Sequence, residues 1–142
     1  MNPKLELSEG DHPHVRKLLY GGLAAHNRKA VEAPEVRPLW VLLRSEDKGP
    51  VIGGLLGATA WSHLRIEALF VPELLRGSGA GARIVTLAEE EARRRGCVGV
   101  WLDTYSFQAR GFYERLGYTV LGQIDDYPPG HTRYFMKKSL KR

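Results

Sequence analysis

Residues 69–82 read Leu69-Phe70-Val71-Pro72-Glu73-Leu74-Leu75-Arg76-Gly77-Ser78-Gly79-Ala80-Gly81-Ala82. An apolar strand closes at Pro72, and a glycine-rich turn then opens a helix. At such a junction several backbone N–H groups have no helical partner and point along the positive end of the helix dipole, which makes a cradle for a phosphate or diphosphate. Gly77, Gly79 and Gly81 omit the Cβ that would hold an anion away and accept the positive φ that turns successive N–H groups to one side. Arg76 adds a fixed charge at the lip. A Walker A loop is excluded, because no Gly-Lys-Ser/Thr follows.

A dinucleotide fold carries a similar turn. Gly77, Gly79 and Ala82 satisfy G-x-G-x-x-A, and Asp103 follows about twenty residues on. In that fold, however, the first glycine comes directly off the strand, whereas Pro72 to Arg76 intervene here. The turn also lies mid-chain, with too little sequence after it for a second nucleotide-binding half.

Working outward, Lys4 to Leu7 alternates apolar and charged residues and predicts a short strand. Asp11 predicts an N-cap, with Pro13 in the first turn and Val15, Leu18, Leu19 and Leu23 on one helical face; Gly21-Gly22 weakens or bends that helix. Ala33 to Pro38 reads as a loop, Leu39 to Leu43 as a strand, Arg44 to Pro50 as a hairpin turn, and Val51 to Trp61 and Leu64 to Val71 as strands. Ser78 to Arg95 predicts a helix closed by Gly96. Val98–Thr104 (strand), Phe107–Leu116 (helix), Tyr118–Ile124 (strand) and Thr132–Lys138 (strand) follow. The order predicts an α/β domain over residues 1–142, built on a mixed sheet with helices on both faces.

The chain has 142 residues, 43% hydrophobic and 26% charged, with a net charge of +5. A chain of this length buries roughly 70% of the surface it exposes when unfolded, which excludes disorder. The single cysteine, Cys97, cannot form an intrachain disulfide, and Met1 to Glu6 lacks a signal-peptide layout. No apolar run reaches membrane-spanning length. These features point to a soluble cytoplasmic protein. The run Glu89-Glu90-Glu91-Ala92-Arg93-Arg94-Arg95 reads as a solvated, self-paired helix face and not as a nucleic-acid stripe. Lys137-Lys138 and Lys141-Arg142 likewise need no partner. His12 and His14 lack a third spaced ligand, so no metal is expected.

Arg76-Gly77-Ser78-Gly79-Ala80-Gly81 resembles the acyl-CoA signature Arg/Gln-x-x-Gly-x-Gly/Ala of the GNAT superfamily of N-acetyltransferases. The preceding Val71-Pro72 is similar to that family too, as is a second block, Gln108-Ala109-Arg110-Gly111-Phe112-Tyr113-Glu114-Arg115-Leu116-Gly117-Tyr118. The element order resembles the family fold across essentially the whole chain. That fold implies a central mixed sheet splayed between its fourth and fifth strands, here Leu64 to Val71 and Val98 to Thr104.

The resemblance implies that acetyl-CoA enters the cleft between those strands, with its pantetheine amides on the backbone of Leu69, Phe70 and Val71 and its diphosphate on the N–H groups of Arg76, Gly77, Ser78, Gly79, Ala80 and Gly81. A main-chain N–H near Phe70 or Val71 would polarise the thioester carbonyl; such a donor is worth about 10²–10³ in rate. Reaching the neutral form of a lysine-like amine at pH 7 costs roughly 4.6 kcal/mol, so a proton acceptor is needed. Glu67, which strand alternation places beside Leu69 and Val71, is the expected base, acting through water; a structural carboxylate paired with Arg65 is the alternative. Tyr113 corresponds to the family's general acid, and Phe112 belongs to the core. Ser106 stands where many relatives carry Asn, so its cofactor contact rests on a hydroxyl.

The implied activity is acetyl transfer from acetyl-CoA to a primary amine of a small or protein acceptor, by direct transfer. A non-catalytic CoA-binding or protein-interaction module of the same fold is the alternative. The loop Asp125-Asp126-Tyr127-Pro128-Pro129-Gly130-His131 and the segment Tyr20 to Pro38 are expected to select the acceptor, with two acids beside an aromatic suiting a cationic amine. A plain turn is the other reading of that loop. The apolar edge strands are compatible with a homodimer.

Overall fold

The computed structural model describes all 142 residues, and the backbone divides into two compact units, Met1–Pro34 and Glu35–Arg142. The first holds one helix, α1 (Pro13–Asn27), which Gly21 and Gly22 do not interrupt. Pro13 takes the first helical position, where a missing N–H costs nothing. The N-cap is His12 and not Asp11, whose carboxylate instead meets Arg16 at 3.2 Å. The strand expected at Lys4 to Leu7 is absent. Two alternating leucines give a weak signal, and no neighbouring backbone completes a ladder.

The second unit is a six-stranded mixed sheet: β1 (Arg37–Arg44), β2 (Val51–Ala60), β3 (His63–Phe70), β4 (Gly99–Tyr105), β5 (Thr119–Asp125) and β6 (Thr132–Ser139), in the spatial order β1-β2-β3-β4-β6-β5. β1 begins earlier than the prolines suggest. It is an edge strand, so Pro38 needs no inward N–H and pairs opposite Ala58. β2 turns into β3 through Trp61 and Ser62, both at positive φ, in a tight two-residue hairpin. Helix α2 (Ala80–Arg94) follows β3, and the short α3 (Arg110–Arg115) follows β4.

The core lies where Leu55, Leu64, Ile66, Val100, Leu102 and Met136 of the sheet meet Ile84, Val85, Ala88 and Ala92 of α2, with Tyr113 and Tyr118 alongside. The glutamate run of α2 is not wholly solvated. Glu89 is only 5% exposed; it accepts a hydrogen bond from the Tyr118 hydroxyl at 2.7 Å and an ion pair from Lys138 at 3.0 Å. Lys138 is thus paired within the chain, in keeping with a charge that needs no outside partner. Glu91 does pair along the helix, with Arg94 and Arg95. Arg95 also donates to the carbonyls of Arg37 and Pro38 and to Thr59, tying the end of α2 to β1 and β2.

Two features of β3 shape the site. Its pairing with β2 slips between Leu56 and Gly57, so that Gly57 faces Ile66, Leu56 faces Ala68, and Glu67 has no partner. Such a bulge adds twist and bends the strand. Its parallel pairing with β4 covers only His63 to Arg65 against Gly99 to Trp101, while β4 stays in register with β6 along its full length. Beyond Arg65 the two parallel strands separate.

Candidate active site

The separation of β3 and β4 opens a cleft of about 790 Å³, within the size range of small-molecule and cofactor sites. The freed edge of β3 presents main-chain N–H and C=O groups that no strand receives, so a bound molecule can pair with it as an added strand would. Leu69, Phe70 and Val71 line this edge.

The glycine-rich turn closes one end. Between β3 and α2 the chain makes a short 3-10 turn (Glu73–Leu75), then Gly77 and Gly79 adopt φ of 81° and 87°. Six N–H groups were expected to face an anion, but three are used within the turn. Arg76 N–H donates to Glu73 O, Ser78 N–H to Leu75 O, and Ala80 N–H to the Ser78 hydroxyl. This leaves Gly77, Gly79, Gly81 and, in the first turn of α2, Ala82. All four line the cleft, whereas Ser78 and Ala80 do not. Ser78 instead holds the turn, its hydroxyl donating to Leu75 O. Arg76 lies at the rim with its Nε donating to Val71 O at 3.1 Å, which anchors the guanidinium beside the glycines.

Gly79 is also the N-cap of α2 in left-handed geometry. Gly79→Ala is expected to strain that position by roughly 1–2 kcal/mol and to put a methyl group on the anion side. It should weaken coenzyme A binding while leaving pantetheine, which has no diphosphate, bound as in wild type. Calorimetric titration with both ligands checks this.

Glu67 lines the cleft from the bulge and is exposed. Simple alternation placed it beside Leu69. The bulge corrects this, because Ile66 and Leu69 face Gly57 and Leu55 on one side of β2, with two residues between them instead of one. Arg65 makes no ion pair with Glu67; its guanidinium lies over the Trp101 ring at 5.0 Å. Tyr113, on α3, is 6% exposed and packs edge-on against Phe112 and Tyr118 at 5.1 and 5.6 Å. Burial pushes its phenol up to about 12, so it stays protonated at neutral pH. Glu67 and Tyr113 thus share one cleft with the turn.

Ser106 is not among the lining residues. Its hydroxyl accepts from Thr132 N–H at 3.1 Å and pairs with His131 Nδ1 at 3.2 Å, which joins the end of β4 to the β5–β6 loop. Asp103, the acid of the dinucleotide reading, is held by Arg133 through Nη2 at 2.8 Å and Nε at 2.9 Å. That occupancy and the antiparallel half of the sheet exclude a doubly wound fold. Sequence reasoning missed Phe107, Gln108 and Arg115, which also line the cleft. Gln108 accepts from Tyr105 N–H and Thr104 Oγ1, fixing the corner that delays α3 to Arg110. Nothing in residue spacing marks such a corner. Cys97 is buried, which pushes its thiol up.

The profile of the Acetyltransferase (GNAT) family matches residues 8–118. The chain is similar to a blasticidin-S acetyltransferase of Streptomyces morookaense, 40% identical over 109 residues, which are 75% of this chain and 80% of that protein. It is also similar to an acetyltransferase of Agrobacterium fabrum, 36% identical over 132 residues, 93% of this chain and 96% of that one. A crystal structure of a candidate acetyltransferase from Agrobacterium tumefaciens superimposes with a TM-score of 0.85 at 34% identity, covering 96% of this chain and 99% of the other. A splayed parallel pair, a glycine turn aimed into the gap and this agreement over most of the sequence lead to one assignment: the chain is an acetyltransferase of the GNAT family.

Proposed function

We propose that the protein transfers an acetyl group from acetyl-CoA directly to a primary amine, in the cleft between β3 and β4. One observation carries the reading: the free N–H groups of the turn, the unpaired edge of β3, Glu67 and Tyr113 all border a single cleft. The residues suit the co-substrate, since Gly77, Gly79, Gly81 and Ala82 offer a diphosphate four donors with no side chain beyond Cβ in the way. When bound, acetyl-CoA supplies an activated thioester.

The protein's part is to position and move protons. A main-chain N–H near Phe70 or Val71 polarises the acetyl carbonyl. Glu67, through a water molecule, takes the proton that the arriving ammonium sheds to become the nucleophile, and the second proton passes from nitrogen to solvent as the nitrogen bonds to the acetyl carbon. Tyr113 gives its hydroxyl proton to the sulfur as the carbon–sulfur bond breaks, and solvent restores it. The exposed carboxylates of Asp125, at the end of β5, and Asp126, at the start of the β5–β6 loop, favour an acceptor that arrives as a cation.

Glu67→Gln removes the acceptor of the amine proton and leaves the cleft's shape. The expected loss in kcat/KM for the amine is about 10²–10⁴-fold at pH 7. It should shrink as pH rises towards about 10, where the amine supplies its own neutral form. Initial-rate studies should give intersecting lines, and a chain incubated with acetyl-CoA alone should keep its mass. A stable acetylated chain with parallel lines would contradict direct transfer, and a pH-independent E67Q defect would remove Glu67 as the base.

A further inference from the structure

Beside the cleft stands a ladder of aromatic rings that neither cofactor binding nor proton transfer uses. The rings of Phe107 and Tyr105 lie nearly parallel, 14° apart with centroids at 5.2 Å, and Tyr127 of the β5–β6 loop continues the stack at 12° and 6.3 Å. His131 meets Phe107 edge-on at 4.9 Å. The stack is not a core feature, since Phe107 is 55% exposed and Tyr127 47%. Exposed rings add little to folding, yet these three are held firmly. Arg133 lies over Tyr105, Tyr127 and Phe135 at 5.6, 5.3 and 5.1 Å, and is itself clamped by Asp103. Ser106 ties His131 and the loop to the end of β4. The platform is therefore preorganised, which lowers the cost of binding against it.

Phe107 is the joint between platform and cleft, because it also lines the space that Glu67 and Tyr113 border. The charge near the platform favours a cation. Arg133 is neutralised by Asp103, whereas Asp125 and Asp126 carry no ion pair.

We propose that this ladder is the docking platform for the acceptor, and that the acceptor is a small molecule bearing a flat aromatic or heteroaromatic ring together with its amine. The ring stacks on the platform while the amine reaches past Phe107 towards Glu67. This rests on the direct-transfer reading for the fate of the amine, and on the ring geometry alone for recognition. An aromatic pair contributes about 0.5–1.5 kcal/mol beyond its buried area, so the expected preference for a flat ring over its saturated counterpart is up to about tenfold.

The test uses the full chain saturated with coenzyme A and two probes of similar size, tryptamine and 2-cyclohexylethylamine, titrated by calorimetry. Wild type should bind tryptamine up to about tenfold more tightly. Tyr127→Leu and Phe107→Leu, which keep apolar bulk and remove the π face, should abolish most of that preference. In Tyr127→Leu, which lies outside the cleft lining, coenzyme A affinity should match wild type. Equal affinity for both probes in wild type, or a preference that survives both substitutions, overturns the proposal. A ring preference that both substitutions abolish supports the platform; a separate assay of tryptamine with acetyl-CoA reads the transfer itself, and absence of acetylation there would count against the amine's reaching Glu67 and not against the platform.

Discussion

Tyr113→Phe is expected to lower kcat by about 10²–10⁴-fold and to leave the dissociation constant for acetyl-CoA close to that of wild type. The ring keeps its edge-on contacts with Phe112 and Tyr118, so the cleft keeps its shape and only the hydroxyl is lost. An effect on kcat without one on binding identifies an interaction made as the sulfur leaves. The same variant has a signature independent of turnover. Burial holds the folded phenol at about 12, against about 10 in an unfolded chain. The folded state thus binds the extra proton between these values. The stability attached to the neutral phenol is complete below pH of about 10 and is lost as pH climbs through about 12, a fall of roughly 2–3 kcal/mol. Phe has no proton to lose, so the variant should lack this share of the alkaline fall, while the share of Tyr118, which has the same sign, remains. Full activity in Tyr113→Phe would remove the tyrosine from the chemistry, whatever the alkaline stability shows.

Glu89→Ala should destabilise the fold by about 3–5 kcal/mol, the cost of breaking a buried ion pair from one side. The carboxylate is shared by the Tyr118 hydroxyl at 2.7 Å and the Lys138 ammonium at 3.0 Å. Both would be left without a partner. The burial of Tyr118, and after it the proximity of Glu89, already push that phenol well above the ordinary range. A domain of this kind has about 5–15 kcal/mol of stability in total, so the variant would stand near the edge of folding. The urea midpoint should drop with little change in slope. Adding Lys138→Met and Tyr118→Phe, which removes the orphaned polar groups, should restore part of the loss. A single-variant loss under about 1 kcal/mol would show the cluster to be solvated.

The glycine turn was legible because its requirements are local: positive φ at Gly77 and Gly79 and bare N–H groups can be read from residue type. The paired motifs and the strand order carried the fold for the same reason. What escaped depends on partners far along the chain. Lys4 to Leu7 alternates like a strand, but a strand is defined by a neighbour, and none is there. Glu67 sits on a bulge set by the register of β2 against β3, which no pattern within β3 reveals. Half the N–H groups of the turn are consumed by Glu73, Leu75 and Ser78. Glu89 had a readable signal, since it lies four residues after Val85 and three before Ala92, on the apolar stripe of α2. Its acidic neighbours masked it.

The most direct test is an amide NMR titration of the isotopically labelled chain with coenzyme A. The largest shifts are expected at Gly77, Gly79, Gly81 and Ala82 and along Leu69, Phe70 and Val71, with the Ser78 and Ala80 amides, already bonded within the turn, moving less. Shifts confined to other surfaces, with the turn and the edge of β3 silent, would contradict a cofactor seated between β3 and β4.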